Sequence, residues 1–521
     1  MAMGGTASTP QIEVELKLEL PPGSLPALMK VPLLKPFKAR RRRTNEISVY
    51  FDTDRRKLHR NGVLLRVRRI GGRHVQTIKA AGRAAPFERD EWEAEIAGEQ
   101  PDLALAAESG LAPLLSDKLR RQLKPQFETR VQRTVYPVAD GSRAISFTVD
   151  RGTIDAGKRS APVCEIELEL ERGSPAQLFE LARKLVGKLP AQLAVRSKAE
   201  RGYALMDGEE DAPIKAVPVV LGKRASAREA FQAVGRACLK QAVGNEPALL
   251  KGNSEGVHQM RVGLRRLRAA MSLFRDLLGD QESEAIKAEL KWLTGELGPA
   301  RELDVLVKRV VAPLQQQQAR WQGMPALSHA LCEGRAAAIA HAQETVRSAR
   351  FRALTLDVAA WLETGHWCAP DDELVRDRGQ VAAATAAAGE LRRRWRKVRK
   401  KGGDLARLDA RSRHKLRIQS KKLRYAVEFF ATLFPGSRAA KRRRRFAAAL
   451  ERLQDGLGDL NDIAVHEQRM AAIGLRRRRM SAGRAFAAGL LAGREDARTE
   501  AALAAATEAL EDLAAAKPFW R

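Results

Sequence analysis

Two hydrophobic periods follow one another along this chain. Over residues 10–206, short segments alternate apolar and charged residues, which is the period-two pattern of strands that bury one face. Over residues 223–515, apolar residues recur with a helical period in a sequence rich in Ala, Leu and Arg. Residues 207–222 contain two prolines and an acidic run without a period, as linkers do. The pattern predicts a two-domain α+β protein: a strand-rich domain, a linker and an all-α domain.

The first strand, residues 11–20, shows the alternation most clearly. Apolar residues at even positions alternate with Glu13, Glu15, Lys17 and Glu19. Two carboxylates two residues apart on one face could hold one hard divalent cation, and Lys17 could meet an anion bound to the same metal. The alternative is an ordinary antiparallel strand whose charged face meets water.

Later strands repeat this alternation with charges of both signs. Residues 64–70 and 74–79 carry basic faces, and residues 163–171 carry an acidic one. In residues 126–135 we expect Arg130 to point to the same side as these charges and Arg133 to have the opposite parity. The candidate inward-facing residues of these strands are Arg66, Arg68, Lys79, Arg130, Glu165, Glu167 and Glu169.

Several charged faces of opposite sign, each backed by an apolar face, fit a sheet that closes with its charged side inward. A narrow barrel lined in this way keeps a polar lumen in place of a side-chain core. Glutamate pairs in such a lumen would hold Mg²⁺ or Mn²⁺, while arginine and lysine would hold phosphate oxygens.

The charge balance narrows the possible partners. The chain has 521 residues, with 93 Lys+Arg against 63 Asp+Glu and a formal net charge of +30. Such an excess favours a nucleic acid, an anionic membrane or a phosphate polymer. Aromatic residues make up 5%, which argues against base stacking as the main binding mode. The four cysteines lack metal-ligand spacing, and we find no signal segment or membrane-spanning run, so we expect a cytoplasmic protein.

The segment Glu13-Val-Glu-Leu-Lys17 resembles the ExExK signature of the CYTH family, the triphosphate tunnel metalloenzymes. Blocks similar to the family's others follow in the family's order, at residues 48–53, 65–68, 77–79, 89–91 and 165–169. The resemblance covers residues 10–206. It implies a closed antiparallel tunnel of eight strands, with flanking helices, that hydrolyses the terminal phosphate of a triphosphate with a divalent metal.

The resemblance also implies roles for individual residues. Glu13, Glu15 and Lys17 would be catalytic. The implied metal ligands are Glu13, Glu15 and the group Glu165, Glu167 and Glu169, of which the pattern does not select two. The implied phosphate-binding residues are Lys17, Arg66, Arg68, Lys79, Arg130 and Lys198.

Two stretches of the helical region repeat one basic pattern. His258, Arg261, Arg265 and Arg268 are spaced by 3, 4 and 3 residues, as are His414, Arg417, Lys421 and Arg424. These spacings place four basic groups on one helical face. The offset between the stretches is 414 − 258 = 156, and similar Leu-Gly segments follow at Leu297 and Leu457, with an offset of 160. An internal duplication explains both. The alternative is a solvated basic face with structural histidines.

This region resembles the CHAD family over residues 223–515. The resemblance implies that a basic central groove binds inorganic polyphosphate. The matching residues are His258, Arg261, Arg265, Arg268, His414, Arg417, Lys421, Lys422, Arg424 and Tyr425.

Together these patterns predict a metal-dependent hydrolase of inorganic triphosphate joined to a polyphosphate-binding domain, with polyphosphate granules as a candidate location. Two alternatives stay open. One is a non-catalytic protein that binds polyphosphate or, through its basic helices, a nucleic acid. The other is a triphosphatase for thiamine or nucleoside triphosphates. We expect no membrane partner, and the pattern does not fix the oligomeric state.

Overall fold

The computed structural model describes residues 11–12, 14–80, 90–312, 323–474 and 482–520. The chain forms two compact units, each built from several chain segments. The first consists of Met1–Ile214, Leu239–Lys251 and Val346–Cys368, and the second consists of Lys215–Cys238, Gly252–Thr345 and Ala369–Arg521. Two segments of the helical region, 239–251 and 346–368, therefore belong to the same unit as the sheet. The domain and linker boundaries given above stay predictions.

The first unit contains one antiparallel sheet, which has ten strands within the described residues. The strands are β1 (Gln11–Ile12), β2 (Glu15–Glu19), β3 (Arg42–Asp52), β4 (Val63–Ile70), β5 (Arg73–Ala80), β6 (Asp90–Ile96), β7 (Lys124–Ala139), β8 (Ala144–Ala156), β9 (Arg159–Arg172) and β10 (Gln192–Leu193). Their hydrogen-bonded order is β1-β6-β5-β4-β3-β7-β8-β9-β2-β10. The antiparallel sheet is confirmed. The sheet has more strands than the expected eight because the first strand is divided into β1 and β2 and because the two-residue strand β10 is additional.

Eighteen α-helices lie within the described ranges. They are α1 (Leu25–Met29), α2 (Lys57–Arg60), α3 (Asp117–Gln122), α4 (Pro175–Val186), α5 (Lys198–Asp207), α6 (Ala227–Val243), α7 (Glu246–Leu250), α8 (Ser254–Leu273), α9 (Gln281–Glu296), α10 (Gly298–Leu306), α11 (Met324–Arg347), α12 (Ala349–Thr364), α13 (Glu373–Gln380), α14 (Ala383–Gly402), α15 (Ala410–Phe429), α16 (Ser437–Gly474), α17 (Ala482–Asp496) and α18 (Thr499–Ala515). The predicted combination of a sheet domain and a mostly helical C-terminal region is confirmed.

Alternation gives the sheet an apolar face and a charged face. On the apolar face, Leu18 of β2 and Leu168 of β9 are fully buried, and α4 packs against β9 with its own buried side chains, among them Leu181. The side chain of Gln177 accepts a hydrogen bond from the backbone N–H of Ser174 (3.0 Å) and so caps α4. Each buried leucine contributes about 1.5–3 kcal/mol of hydrophobic stabilisation. This packing therefore fixes which face of the strands carries the charges.

A second apolar patch is covered by the segment between β6 and β7. Leu65 of β4 and Ile78 of β5 are buried in one cluster with Leu111 and Leu119. The segment forms two short 3-10 helices and α3. A covering of this kind keeps the apolar side of β4 and β5 away from water and leaves their other side for charged groups.

Helix α5 covers one end of the charged face. At this end, the strand positions that face the same side of the sheet as the charged residues are apolar. Tyr50 and Phe127 are buried there against Tyr203 of α5. A Cβ atom built on Gly202 would lie 2.1 Å from a carbon of the Phe127 ring, so only glycine allows this close contact. The hydroxyl of Tyr203 also donates to the buried carboxylate of Asp52 (3.0 Å). These contacts hold α5, whose first residue reaches the charged groups, on the sheet.

In the second unit, α8 and α15 are equivalent elements of the predicted duplication. Both have 20 residues. Their N-caps, Asn253 and Asp409, accept hydrogen bonds from backbone N–H groups of the first turn, and 409 − 253 = 156. The residues that follow the helices, Phe274 and Phe430, have the same offset and contact each other edge to face, with ring centroids 5.7 Å apart.

In the described part of the chain, none of the helices combines the length and the apolar composition that crossing a bilayer requires.

Candidate active site

Three carboxylates lie together where β8 and β9 pair. Asp150 is opposite Glu165 in the ladder and Thr148 is opposite Glu167, so the three acidic side chains project from one face. One oxygen from each carboxylate lies within 4.8 Å of one from each of the others. Asp150 is 0% exposed, Glu165 1% and Glu167 9%. Negative charges this close and this buried need cations beside them.

Lys198 and Arg133 supply two of these cations. Lys198, the first residue of α5, donates to all three carboxylates, and its Nζ lies 2.7 Å from Asp150 Oδ2 and 2.9 Å from Glu167 Oε1. Arg133 of β7 donates to both oxygens of Asp150 (2.8 and 2.7 Å) and to Glu167 Oε2 (2.8 Å). The cluster is thus held by charge-assisted hydrogen bonds from two different elements.

Lys17 of β2 supplies the third cation. Its Nζ lies 2.7 Å from Glu167 Oε1 and 2.8 Å from Glu15 Oε1. Burial favours the neutral form of Glu167, but the charges of Lys17, Lys198 and Arg133 outweigh it and hold the pKa of Glu167 well below its usual value. Burial likewise favours neutral Lys17, but the charges of Glu15 and Glu167 raise its pKa above the usual value. Both side chains are therefore charged at neutral pH.

A more basic part of the same face lies on β4 and β5. Arg66 Nη2 is 3.8 Å from Glu91 and 3.7 Å from Glu93, Arg68 Nη2 is 3.0 Å from Glu93, and Lys79 Nζ is 2.8 Å from Glu91. The Nε atoms of Arg66 and Arg68 are buried and have no hydrogen-bond partner in the described part of the chain. A buried unsatisfied donor is costly, and the oxygens of a phosphate would satisfy these two.

The acidic cluster has the donor chemistry that Mg²⁺ or Mn²⁺ requires. Both ions prefer oxygen ligands, which is all that the carboxylates of Asp150, Glu165 and Glu167 offer. Their spacing allows one oxygen from each to contact a single ion. The cluster therefore fits a hard divalent cation and differs from the nitrogen- and sulfur-rich sites that bind structural zinc.

In the second unit, basic side chains of α8 and α15 meet. The two helices pack together and are joined by an ion pair between Arg266 and Glu428 (2.8 Å). Burial, followed by the charges of Arg417 and Arg265, lowers the pKa of Lys421 to about 7. Like charges from both copies of the duplicated unit therefore lie close enough to destabilise one another.

Several side-chain nitrogen atoms in this basic group are buried without a hydrogen-bond partner in the described ranges. They are Nδ1 of His258 and the Nε atoms of Arg261, Arg265, Arg417 and Arg424. Burial and the charge of Arg301 lower the pKa of His258 to about 4, so its ring is neutral at pH 7. His414 differs, because its Nδ1 lies 2.8 Å from Oδ1 of Asn461. Unsatisfied cationic donors grouped in this way favour an anionic ligand.

Two family models match this sequence. The CYTH domain model matches residues 11–203, and the CHAD domain model matches residues 233–471. This chain contains a CYTH domain followed by a CHAD domain. The acidic cluster and the basic strands β4 and β5 lie in the CYTH match, and helices α8 and α15 lie in the CHAD match.

Individual relatives cover parts of the chain. An inorganic triphosphatase of Haemophilus influenzae is 36% identical over 83 residues, which span 16% of this chain and 24% of that protein. The crystal structure of the CHAD domain from the plant Ricinus communis is 29% identical and matches 58% of this chain and 96% of its own, with a TM-score of 0.49. A putative adenylyl cyclase from Hippeastrum, described as having a dominant triphosphatase activity, is 19% identical and matches 37% and 95%, with a TM-score of 0.29.

One expectation for the CYTH domain is wrong. The sequence pattern predicts Arg130 on the charged face and Arg133 on the other, and the register is the reverse. Arg133 is opposite Asp150 in the ladder between β7 and β8, whereas the side chain of Arg130 is 59% exposed and donates to Glu128 (2.6 Å). The cause is that β7 runs beneath α5, where its inward-facing residues, such as Phe127, are apolar. The sequence pattern therefore assigns this side of the strand to the outer, apolar face.

The other CYTH candidates divide into three groups. Glu15, Lys17, Arg66, Arg68, Lys79, Glu165, Glu167 and Lys198 lie on the charged face. Glu169 shares the face, opposite Glu15 on β2, but is exposed, and Glu13 lies outside the described residues. The pattern gave Asp150 no secure place in the site and did not select Glu46 or Arg133. Pairing register would have found Asp150, since it is opposite Glu165.

The candidates in the CHAD domain do not form one group. Arg268 and Lys422 belong to a second basic cluster, where burial and then the charges of Arg394, Lys397 and Arg268 lower the pKa of Lys422. Lys422 Nζ lies 3.4 Å from Ser272 Oγ, to which Arg394 also donates (2.9 Å). Arg424 stays with the first group, since its charge also lowers the pKa of Lys421.

Proposed function

We propose that this protein hydrolyses inorganic tripolyphosphate to pyrophosphate and phosphate with Mg²⁺ or Mn²⁺, and that its CHAD domain binds inorganic polyphosphate. The observation that carries the enzymatic proposal is the buried cluster of Asp150, Glu165 and Glu167 flanked by Lys17 and Arg133. A complex of a metal with a triphosphate needs carboxylates for the metal and cations for the phosphate oxygens, side by side. The similarity to the Haemophilus influenzae inorganic triphosphatase supports the substrate class.

We infer further that the sheet closes into a tunnel around the charged face. β1 pairs with β6 and β2 pairs with β9, so the N-terminal segment joins both ends of the strand order. If β1 and β2 count as parts of one strand and the short β10 is left aside, eight strands surround the charges. A barrel of that size has an interior wide enough for side chains and one small ligand.

The reaction requires in-line attack of water on the terminal phosphorus as the bond to the bridging oxygen breaks. Such a displacement depends on positioning and charge neutralisation more than on covalent chemistry by the protein. Arg66, Arg68 and Lys79 would hold phosphate oxygens, and the two guanidinium groups can each meet two oxygens at once. Lys17 and Arg133 would stabilise the charge that grows on the leaving pyrophosphate. A bound divalent ion would add Lewis-acid neutralisation of the phosphate charge.

The aromatic side chains on this face favour an inorganic substrate. Tyr50 and Phe127 stack on each other, with ring centroids 4.6 Å apart, and are buried beneath α5. Both rings are therefore already used in packing and are not free to stack on a nucleobase or a thiazolium ring. Thiamine triphosphate and ATP are the comparison substrates for this step of the proposal.

Binding of polyphosphate by the CHAD domain is supported by the unsatisfied cationic donors on α8 and α15. Arg265 and Arg417 each have a buried Nε without a partner in the described residues, and Lys421 carries a lowered pKa between them. A polyanion would satisfy all three at once. Because the domains are joined in one chain, bound polyphosphate would also raise the local concentration of phosphate chains. Nucleic acid is the alternative ligand.

The test is phosphate release from tripolyphosphate by the full chain with Mg²⁺, with Mn²⁺ and with EDTA. We expect metal-dependent release that the double variant Glu165→Gln/Glu167→Gln abolishes. Glu171→Gln, an exposed position on the same strand, is the matched control and should keep the wild-type rate. Absence of release from tripolyphosphate, ATP and thiamine triphosphate would disprove the enzymatic proposal. For the CHAD domain, polyphosphate should displace a labelled RNA from the full chain, and failure to do so would favour the nucleic-acid alternative.

A further inference from the structure

The ammonium group of Lys198 and the candidate metal site share the same three carboxylates. Lys198 Nζ bonds Asp150 (2.7 Å), Glu167 (2.9 Å) and Glu165, and these are the groups whose oxygens could together contact one ion. A divalent ion and an ammonium group both take up carboxylate lone pairs, so the two compete for the same atoms.

The charge balance of the cluster explains why one cationic side chain has to move when a divalent ion binds. Asp150, Glu165, Glu167 and Glu15 carry four formal negative charges, and their contacts with Lys17, Arg133, Lys198 and Arg201 bring four positive charges. Adding an ion of charge +2 to a cluster that is already neutral creates repulsion among buried cations. The free energy is lower if one of the cationic side chains moves away.

Arg133 and Lys17 are poor candidates for this movement. Arg133 holds both oxygens of Asp150 through a planar, two-pronged contact and also bonds Glu167. Lys17 contacts only Glu167 among the three carboxylates, and Glu15 anchors its other side. Arg201 pairs with Glu165 alone among the three carboxylates (3.9 Å), so none of these cations covers the whole ligand set.

Lys198 differs from Arg133 and Lys17 in the number of carboxylates that it contacts and in the flexibility of its side chain. It touches all three carboxylates, and its ammonium group ends a flexible four-carbon chain. Its helix does not need to move with it. Tyr203 bonds Asp52 (3.0 Å), and Lys240 bonds Glu200 in the first turn of α5 (2.5 Å). The side chain alone can therefore turn from the carboxylates towards a neighbouring anion.

We propose that Lys198 is a displaceable internal counter-ion: it competes with the divalent ion for Asp150, Glu165 and Glu167, and the ion, on binding, releases its ammonium group for the phosphate. This inference rests on the proposed metal-dependent function. It changes the role implied for Lys198 from a permanent phosphate-binding residue to one that also sets metal affinity.

The decisive measurement is isothermal titration of the full chain with MnCl₂, without any phosphate compound. Lys198→Met and Lys198→Gln remove the competing charge, and we expect Mn²⁺ to bind roughly tenfold more tightly, since loss of one competing ion pair of ordinary strength changes a binding constant by about one order of magnitude. Lys198→Arg keeps the charge and should bind Mn²⁺ as the wild type does. Lys240→Met, which removes a lysine contact to the outer side of α5, is the control for disturbance of the helix.

Equal or weaker Mn²⁺ binding by both neutral variants would overturn the inference while leaving the proposed triphosphatase intact. No Mn²⁺ binding by the wild type, together with no metal-dependent phosphate release, would instead overturn the proposed function.

A second measurement needs no variant and covers the case in which the neutral variants do not fold. Acetic anhydride labels accessible lysine amines, and peptide mass spectrometry reads the labelled fraction of each lysine. Saturating Mn²⁺ should increase the labelling of Lys198 and leave that of Lys240 unchanged. An unchanged or smaller labelled fraction at Lys198 would contradict displacement.

Discussion

The charged face of the CYTH domain and the basic helices of the CHAD domain use similar side chains under different conditions. In the CYTH domain, the buried cations have carboxylates at ion-pair distance, as Lys198 and Arg133 have Asp150. On α8 and α15, by contrast, Arg265 and Arg417 lie near each other with buried Nε atoms that lack partners in the described residues. Burial, and then the charges of Arg417 and Arg265, lower the pKa of their neighbour Lys421 to about 7, and the charge of Asp462 offsets only part of this shift.

This difference in charge compensation determines how each surface would bind a ligand. A balanced cluster keeps its geometry by itself, so a metal or a phosphate has to replace contacts that already exist. On α8 and α15 carboxylates compensate the positive charge only in part, as Asp462 does beside Arg417 (4.0 Å), and a polyanion would relieve the repulsion that is left. Removing one cation should therefore destabilise the charged face of the CYTH domain and reduce the repulsion within the basic group of the CHAD domain.

The largest effect is expected from Arg133. Arg133→Leu removes a group that bonds Asp150 and Glu167, and we expect kcat/KM for tripolyphosphate to fall by about 100- to 1,000-fold, the usual cost of losing one preorganised charge at a reacting phosphate. Arg130→Leu makes the same chemical change on the opposite face, where the side chain is 59% exposed, and should cost less than about twofold. Steady-state kinetics of both variants measure the two losses in kcat/KM. Equal losses would mean that the face assignment of β7 is wrong.

An effect of intermediate size is expected in the CHAD domain. Arg265→Gln removes one charge-assisted contact from the basic group, and polyphosphate affinity should fall about tenfold. Tripolyphosphate hydrolysis should stay unchanged. The control is Arg444→Gln, which removes the same charge from an exposed position in α16. If both variants lose affinity equally, net charge alone governs binding and the group on α8 and α15 is not a specific site.

How far the sequence could lead is clearest in the CYTH domain. Strand alternation placed Lys17 and Glu167 on one face because a period of two needs only local information. The same reasoning failed for Arg130, since β7 runs under α5, where the inward positions are apolar. That reversal depends on a helix more than 60 residues further along the chain, and a pattern within one strand does not contain it. Asp150 likewise becomes recognisable only through its register with Glu165.

In the CHAD domain the repeat was visible because a duplication preserves spacing. Equal steps from His258 and His414 located α8 and α15 and their shared basic faces. The pattern did not reveal that Arg268 and Lys422 join a separate cluster with Arg394, because that contact involves a third helix, α14. Helical periodicity assigns a residue to a face, but the partner of that face is set by tertiary packing.

A smaller effect should appear when polyphosphate affinity is measured against pH. Burial and the charges of Arg417 and Arg265 lower the pKa of Lys421 from 10.5 to about 7, so the free protein loses this charge as the pH rises through 7. A bound polyanion favours the protonated form, and affinity should therefore fall about fivefold between pH 6 and pH 8.5. Fluorescence titration with long polyphosphate chains, whose end groups contribute little, measures this. Lys421→Arg cannot titrate in this range and should flatten the curve. A wild-type curve without slope would contradict the lowered pKa.

The smallest effect concerns stability, and it has opposite signs in the two domains. At pH 6, below the folded pKa of Lys421, the charged lysine opposes folding because its unfolded pKa is higher. Lys421→Met should therefore stabilise the CHAD domain by about 1 kcal/mol, whereas Lys17→Met, which removes the cation that Glu15 and Glu167 share, should destabilise the CYTH domain by about 1–3 kcal/mol. Hydrogen exchange resolves the two, since peptides from α15 report one domain and peptides from β9 the other. Polyphosphate should reduce the advantage of Lys421→Met, because the wild type binds it through one more cation and is therefore stabilised more. The same sign for both variants would mean that the two surfaces do not differ in charge compensation.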